Sequence, residues 1–359
     1  MTRQAESSDT EQKGSGIAGL ESAVASESAA PDMIGFRNRA PVLPRRLLRT
    51  SDVAELLLLP IFGLLSWVVP ERFSAGFAVG ISRYIGFIRP DRGRSSKAEI
   101  EAVVGARPLS IAAADLPDAR SASAYGERLQ HLRAYRPGGW VPVVRLRGGE
   151  HIAHALQGDR GVILWVTDCY YGSVLVKAAL AQAGYQLVQL SRPDHGYSET
   201  RLGCAVLNPI LHRVEDRYLA ERLIVDDGRT AATLIAIRGR LSGNGIVAIT
   251  VSKLGSPLCT APFLDAELGV APGAMTIALL TDAPLLPVFL RIDRHDGTFE
   301  VHVDAPLEVD KALDRKRAIG RLLSQYIARL EPYVLEYPQL WKGWINLVVS
   351  RKAETKPDK

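Results

Sequence analysis

From Glu150 onward the chain alternates short, continuous apolar runs with amphipathic segments, and this alternation most limits what it can fold into. GVILWVT (Gly161–Thr167), YQLVQL (Tyr185–Leu190), GIVAITV (Gly245–Val251) and PLLPVFLRI (Pro284–Ile292) are rich in β-branched residues and carry no charge before Arg291. Runs that are apolar at nearly every position bury both faces, as strands inside a parallel sheet do. Gly161–Thr167 and Pro284–Arg291 are expected to be buried in this way. EHIAHALQ, YGSVLVKAALAQAG, GRTAATLIAIRGRL and APGAMTIALLTDA have helix length and periodicity. Gly158, Gly184 and Gly243–Gly245 serve as their exits, and Pro272 sits near the first turn of the last. TFEVHVD (Thr298–Asp304) follows a turn at Asp296–Thr298 and pairs back as a hairpin. A final helix is expected from Lys311 to Leu330. The pattern predicts an α/β domain over 148–349, with a mostly parallel central sheet flanked by helices.

The N-terminal region has a different character. Residues 1–35 form a tail rich in Ser, Ala, Glu and Gly, expected to be disordered. Its GSGIAG (Gly14–Gly19) spells a dinucleotide-binding signature, but no strand precedes it. Residues 36–89 are basic and then apolar. Arg37, Arg39, Arg45, Arg46 and Arg49 come without an acid, and LLLLPIFGLLSWVV (Leu56–Val69) follows without a charge. A helix of that length reaches about 21 Å, short of a hydrocarbon core of about 30 Å. A second apolar stretch, Phe77–Ile88, is broken by Arg83. The order predicts a membrane-associating helical segment lying in or dipping into the inner leaflet. A buried helical pair packed on the main domain is the alternative. Residues 90–147 read as a connector and 350–359 as a charged tail.

The formal charge of +5 suits an anionic membrane surface or an anionic substrate. No nucleic-acid motif appears and aromatics are few, so no nucleic-acid partner is expected. Cys169, Cys204 and Cys259 are far apart and form no CxxC, which argues against a disulfide framework and a thiolate metal site. No metal or cofactor is expected.

Four stretches in order carry a resemblance to a known family: HALQGDRGVILWVT, LSRPDHGYSETR, SGNGIVAITVSKLGSPLCTAPFLDAELGVAPGAMTIALLTDAPLLPVFLRID and YPQLWKGWINL. Together they resemble the lysophospholipid acyltransferase superfamily, and within it the lipid A lauroyl/myristoyl-type acyltransferases of Gram-negative bacteria. The resemblance implies an acyltransferase-like sandwich. It also implies transfer of a fatty acyl chain from an acyl carrier protein or coenzyme A to a lipid or glycolipid hydroxyl. Such enzymes use His-x4-Asp/Glu, in which the imidazole takes the hydroxyl proton and the carboxylate orients it.

That pair is missing here. Laying VTDCYYGSVLV on the family turn puts Cys169 at the His position and Val174 at the acid position, and a shift of one puts Asp168 and Ser173 there. Cys169, with Asp168 beside it, is therefore the candidate catalytic residue, as a soft nucleophile if its thiolate were stabilised. His195 and His212 are the imidazoles that would have to fold back to it. Tyr170 and Gly172, at the same turn, are candidate substrate-binding residues. So are Arg192, Arg201 and Lys253, which follow strands and suit a phosphate or a phosphopantetheine arm. The one letter match, His154-x4-Asp159, precedes the first strand, at the end opposite to where sites of α/β sheets form. Without the family pair, an inactive relative that serves as a lipid- or partner-binding scaffold is the alternative function.

Overall fold

A computed structural model describes residues 46–88, 91–192, 194–225, 230–252, 258–346 and 348–349. The tail over 1–35, Arg37, Arg39, Arg45, Lys253 and the charged tail over 350–359 lie outside the described residues.

The apolar runs form the strands expected of them. A seven-stranded sheet is built from β1 (Val144–Arg147), β2 (Val162–Val166), β3 (Leu187–Ser191), β4 (Glu221–Ile224), β5 (Ile246–Thr250), β8 (Leu285–Ile292) and β9 (Phe299–Val303). Its order is β1-β9-β8-β2-β5-β3-β4. Every neighbouring pair is parallel except the β8–β9 hairpin. β2 stands in the middle and is buried at all of its residues, because both faces are covered. From β2 the chain runs one way to β3 and β4 and later the other way to β8 and β9. The C-terminal end of β2 is thus a topological switch point, where crevices open in α/β sheets.

The PFLDAELGV segment, to which the apolar pattern assigned no element, forms a tight antiparallel hairpin. Its strands are β6 (Cys259–Phe263) and β7 (Ala266–Val270), joined to β10 (Val348–Val349) in a small second sheet. Pro262 hid this hairpin from a reading that expects prolines outside strands. The final helix spans Arg315–Glu336, and Asp314 caps it by accepting from the Arg317 N–H at 3.0 Å.

The N-terminal segment forms α1 (Thr50–Val68) and α2 (Glu71–Ile88). The stretch read as a connector holds two more helices, α3 (Asp91–Val104) and α4 (Leu116–Arg133). α1 lays Phe62 against Leu129 and Leu132 of α4. Arg133 then donates to the carbonyls of Ser66 and Val69 at the end of α1, at 3.0 and 2.9 Å. At its start, the Asp52 carboxylate accepts from the Ser198 and Thr200 hydroxyls, both at 2.7 Å. These bonds tie α1 to the loop that follows β3. α4 is therefore clamped between the N-terminal helices and the sheet domain. Its inward face is polar rather than apolar, with Arg120, Ser123, Glu127, Gln130 and His131 all buried.

Candidate active site

After β2 the chain turns into α6 (Gly172–Gln182), and the last residue of the turn is under constraint. Tyr171 has a φ of 66°, a left-handed conformation that bulky side chains avoid and that marks over-determined turns. Two neighbours on α4 hold it there. Its N–H donates to Glu127 Oε1 at 2.9 Å. Its ring fills the space over Gly126, where a Cβ would stand 1.9 Å from the Tyr171 hydroxyl oxygen.

Glu127 and His131 are one helical turn apart and face the start of α6 together. His131 Nε2 lies 3.0 Å from Ser173 Oγ, and Nδ1 lies 3.1 Å from the Tyr197 hydroxyl. Ser173 Oγ is also 3.3 Å from Glu127 Oε1. Lys342 Nζ donates to both Glu127 oxygens, at 3.1 and 3.0 Å, and sits 5.0 Å from the centroid of the Tyr170 ring. Lys342–Glu127–Ser173–His131–Tyr197 is a continuous polar chain at the C-terminal end of β2.

Burial and charge set the protonation states. Burial pushes the Glu127 carboxyl up, but Lys342, His131 and the Tyr171 N–H together hold it below its ordinary value. Burial opposes charge on Lys342, yet Glu127 and Asp168 keep its amine above the usual range. Burial takes His131 down to about 4, against the opposing pull of Glu127 and Glu215. The imidazole is therefore neutral at neutral pH and can accept a proton. With its own proton on Nδ1, donated to Tyr197, Nε2 can accept the Ser173 hydroxyl proton, for which Glu127 Oε1 is the competing acceptor. Glu127 stands ready to stabilise the imidazolium that proton transfer creates.

This arrangement makes stability depend on pH with a definite sign. His131 titrates near 6.5 when exposed and near 4 when folded. Between these values the unfolded chain binds more protons, so stability falls as pH drops from 6.5 to 4. The expected loss across that window is of the order of 3 kcal/mol. The carboxyl of Glu127 adds its own acid lability only below its unfolded value of 4.5. Urea unfolding at a series of pH values from 7 to 4 measures the slope, and His131→Asn should make it shallower above pH 4.5, leaving the share of His212, whose burial also lowers its pKa. An unchanged slope in His131→Asn would count against a neutral, buried imidazole.

The residues singled out from sequence take other places. Cys169 is 4% exposed, and burial pushes its thiol up to about 12. Such a thiol stays protonated at neutral pH, so the thiolate nucleophile expected from sequence does not form there. Its backbone bridges to Trp341, a core residue. The Asp168 carbonyl accepts from the Lys342 N–H at 3.0 Å, and its carboxylate helps hold Lys342 charged. Val174 is buried beside Leu211 and Val214. Tyr170 packs under Lys342, and Gly172 has no room for a side chain, since a Cβ would meet Cys169 Sγ at 2.7 Å.

His195 and His212 do not fold back to Cys169. Their rings stack 5.8 Å apart. His195 Nε2 lies 3.0 Å from Glu215 Oε1, and His212 Nε2–H donates to the His195 carbonyl at 2.7 Å. Glu215 is wholly buried and also receives Lys177 at 3.4 Å and Arg222 at 2.7 Å. Arg192 pairs with Asp194 at 3.1 Å, and Arg201 is exposed. His154 and Asp159 are both exposed, at the opposite end of β2.

The sequence reading passed over Glu127 and His131, because their segment lacks apolar periodicity and looked like a connector. The available signal was an acid and a histidine at i and i+4 in GERLQH, which share a helix face. Ser173 came into view only at a shifted acid position. Tyr197 and Lys342 lie inside quoted stretches, LSRPDHGYSETR and YPQLWKGWINL, with nothing local to mark them.

No family model matches the sequence, and no curated protein matches it. Among solved structures, the chain is similar to the crystal structure of the 1-acyl-sn-glycerophosphate (LPA) acyltransferase, PlsC, from Thermotoga maritima. The identity is 13% and the TM-score 0.32, over 80% of this chain and 97% of that one. A superposition of that depth fixes no residue correspondences.

Proposed function

We propose that the protein transfers a fatty acyl group from an acyl thioester to a lipid or glycolipid hydroxyl, through an ester formed on Ser173. One observation carries this reading: a neutral His131 Nε2 stands 3.0 Å from the Ser173 hydroxyl at the switch point of the sheet. The four ordered stretches resembling lipid A-type acyltransferases support the acyl class. The missing His-x4-acid pair is replaced by a base from α4. Ser173 Oγ attacks the thioester carbonyl as its proton passes to His131 Nε2, forming an O–C bond. The C–S bond breaks, and the thiol leaves with the imidazolium proton. An acceptor hydroxyl then gives its proton to His131 and bonds the acyl carbon, the Ser173 Oγ–acyl carbon bond breaks, and Oγ takes the proton back from the imidazolium. The donor is an acyl carrier protein or coenzyme A.

Intact mass after incubation with each acyl donor tests the serine step. Wild type and Cys169→Ser should both gain one acyl mass, and Ser173→Ala should gain none. Product formed by Ser173→Ala at the wild-type rate would remove the serine step, and an adduct lost in Cys169→Ser would restore the thiol. The second reading, an inactive lipid- or partner-binding scaffold, is favoured by the loss of the family pair at Cys169 and Val174. It predicts neither adduct nor turnover.

The same reading places the protein at the cytoplasmic face of the inner membrane. No helix of the described residues is long and apolar enough to cross a membrane. Leu57, Ile61, Leu64 and Val68 recur on one face of α1 and are all exposed, opposite the buried Phe62. Arg46 and Arg49 lie beside the start of this helix, and this order suits a helix lying on an anionic surface. Ile61→Asp with Leu64→Asp should weaken co-sedimentation with phosphatidylglycerol vesicles by about tenfold or more. Unchanged binding would put the attachment elsewhere.

A further inference from the structure

The inward face of α4 continues past Glu127 to a cation with no carboxylate in contact among the described residues. Arg120 is 6% exposed, and its Nε has no hydrogen-bond partner. Its guanidinium is hydrogen-bonded by the Tyr170 side chain, and Glu99, an exposed residue of α3, acts on it through space. Among the described residues no carboxylate forms an ion pair with it. Lys342, a half-buried cation nearby, has Glu127 in contact and Asp168 close by. A lysine can lose its proton when buried, but a guanidinium cannot. A buried arginine with one unsatisfied N–H and no countercharge in contact is costly, and an anion brought to it lowers that cost.

Arg120, Glu127 and His131 lie at i, i+7 and i+11, a single stripe along α4. At 1.5 Å per residue, Arg120 is about 16 Å along the axis from His131. Tyr170, from the turn after β2, connects the two ends, touching Arg120 by charge and Lys342 by its ring. We infer that Arg120, with Tyr170 beside it, forms a subsite for a phosphate group of one of the two substrates. This rests on the acyl-transfer reading for its place in a reaction. The planar fork of the guanidinium matches two phosphate oxygens, and phosphate supplies the missing countercharge. Both a phosphopantetheine-bearing donor and a phosphorylated acceptor carry that group.

The test uses the full chain and thermal unfolding, with inorganic phosphate titrated against chloride at matched ionic strength. Phosphate should raise the wild-type melting temperature and leave Arg120→Met unmoved. Without phosphate, Arg120→Met should melt no lower than wild type, because an apolar chain replaces an unpaired buried charge. A phosphate response in Arg120→Met equal to that of wild type would overturn the subsite. If Arg120→Met does not fold, Arg120→Lys is read instead. A phosphate midpoint raised about tenfold supports the fork, and a wild-type midpoint overturns it. Coenzyme A and glycerol 3-phosphate, each competed against phosphate, distinguish donor from acceptor as the source. In turnover, the KM for the phosphate-bearing substrate should rise about tenfold, with kcat within about threefold. Phosphate binding that depends on Arg120 in a protein without turnover defeats the acyl-transfer reading alone. Turnover with a phosphate response indifferent to Arg120 defeats the subsite alone.

Discussion

His131→Ala should lower acyl transfer by about 10²–10⁴-fold, the usual cost of losing a general base. The imidazole is neutral because it is buried, and it is aimed because each ring nitrogen has a hydroxyl within 3.1 Å. Alanine removes the base and leaves Tyr197 and Ser173 without a shared partner. Glu127 cannot take over the role, because its pKa is held below the ordinary carboxylate value and Lys342 occupies both of its oxygens. Steady-state transfer from an acyl-coenzyme A donor measures the loss. Tyr197→Phe should cost far less, since it frees the ring without removing the base. Loss of activity within about threefold in His131→Ala would place the chemistry away from α4.

Lys342→Met should destabilise the fold by about 2–3 kcal/mol, below the range for a fully buried ion pair because the Lys342 side chain is 25% exposed. Glu127 would be left in the core with the Tyr171 N–H and the Ser173 hydroxyl, neither of which carries a countercharge. The Tyr171 turn would loosen with it, because that turn depends on a charged acceptor to hold a left-handed residue. The double variant Lys342→Met with Glu127→Gln should recover much of the loss, since no unpaired charge remains. Urea unfolding of the two single variants and the double closes the cycle. A single Lys342→Met within about 1 kcal/mol of wild type would mean that water already screens the pair.

The protein's chemistry and its fold were not equally visible before folding. Val162–Val166 and Leu285–Leu290 announced buried strands because every position is apolar, and burial on both faces is the physical condition for that pattern. The Asp296–Thr298 turn and the glycine exits carry their geometry in single residues. The hairpin Cys259–Val270 was less visible, because Pro262 breaks a local rule that an edge position relaxes.

The site followed a different logic. Cys169 drew attention by its place in a motif, but its pKa is a property of the walls around it, and those walls are Trp341, Tyr333 and other distant residues. Glu127 and His131 come from a segment whose composition resembles a surface helix. They are buried because α1 covers α4 on one side and the turn after β2 meets it on the other. Local pattern, read over a few residues, determined the strands, the turns and the α/β class, because backbone conformation and apolar periodicity are short-range properties. Only tertiary packing decided that His131 meets Ser173, that Lys342 reaches Glu127 across 215 residues of chain, and that Arg120 meets Tyr170 with no carboxylate against it among the described residues. Charge, desolvation and hydrogen-bond reach depend on distance in space, and no local spacing encodes distances between segments so far apart in the chain.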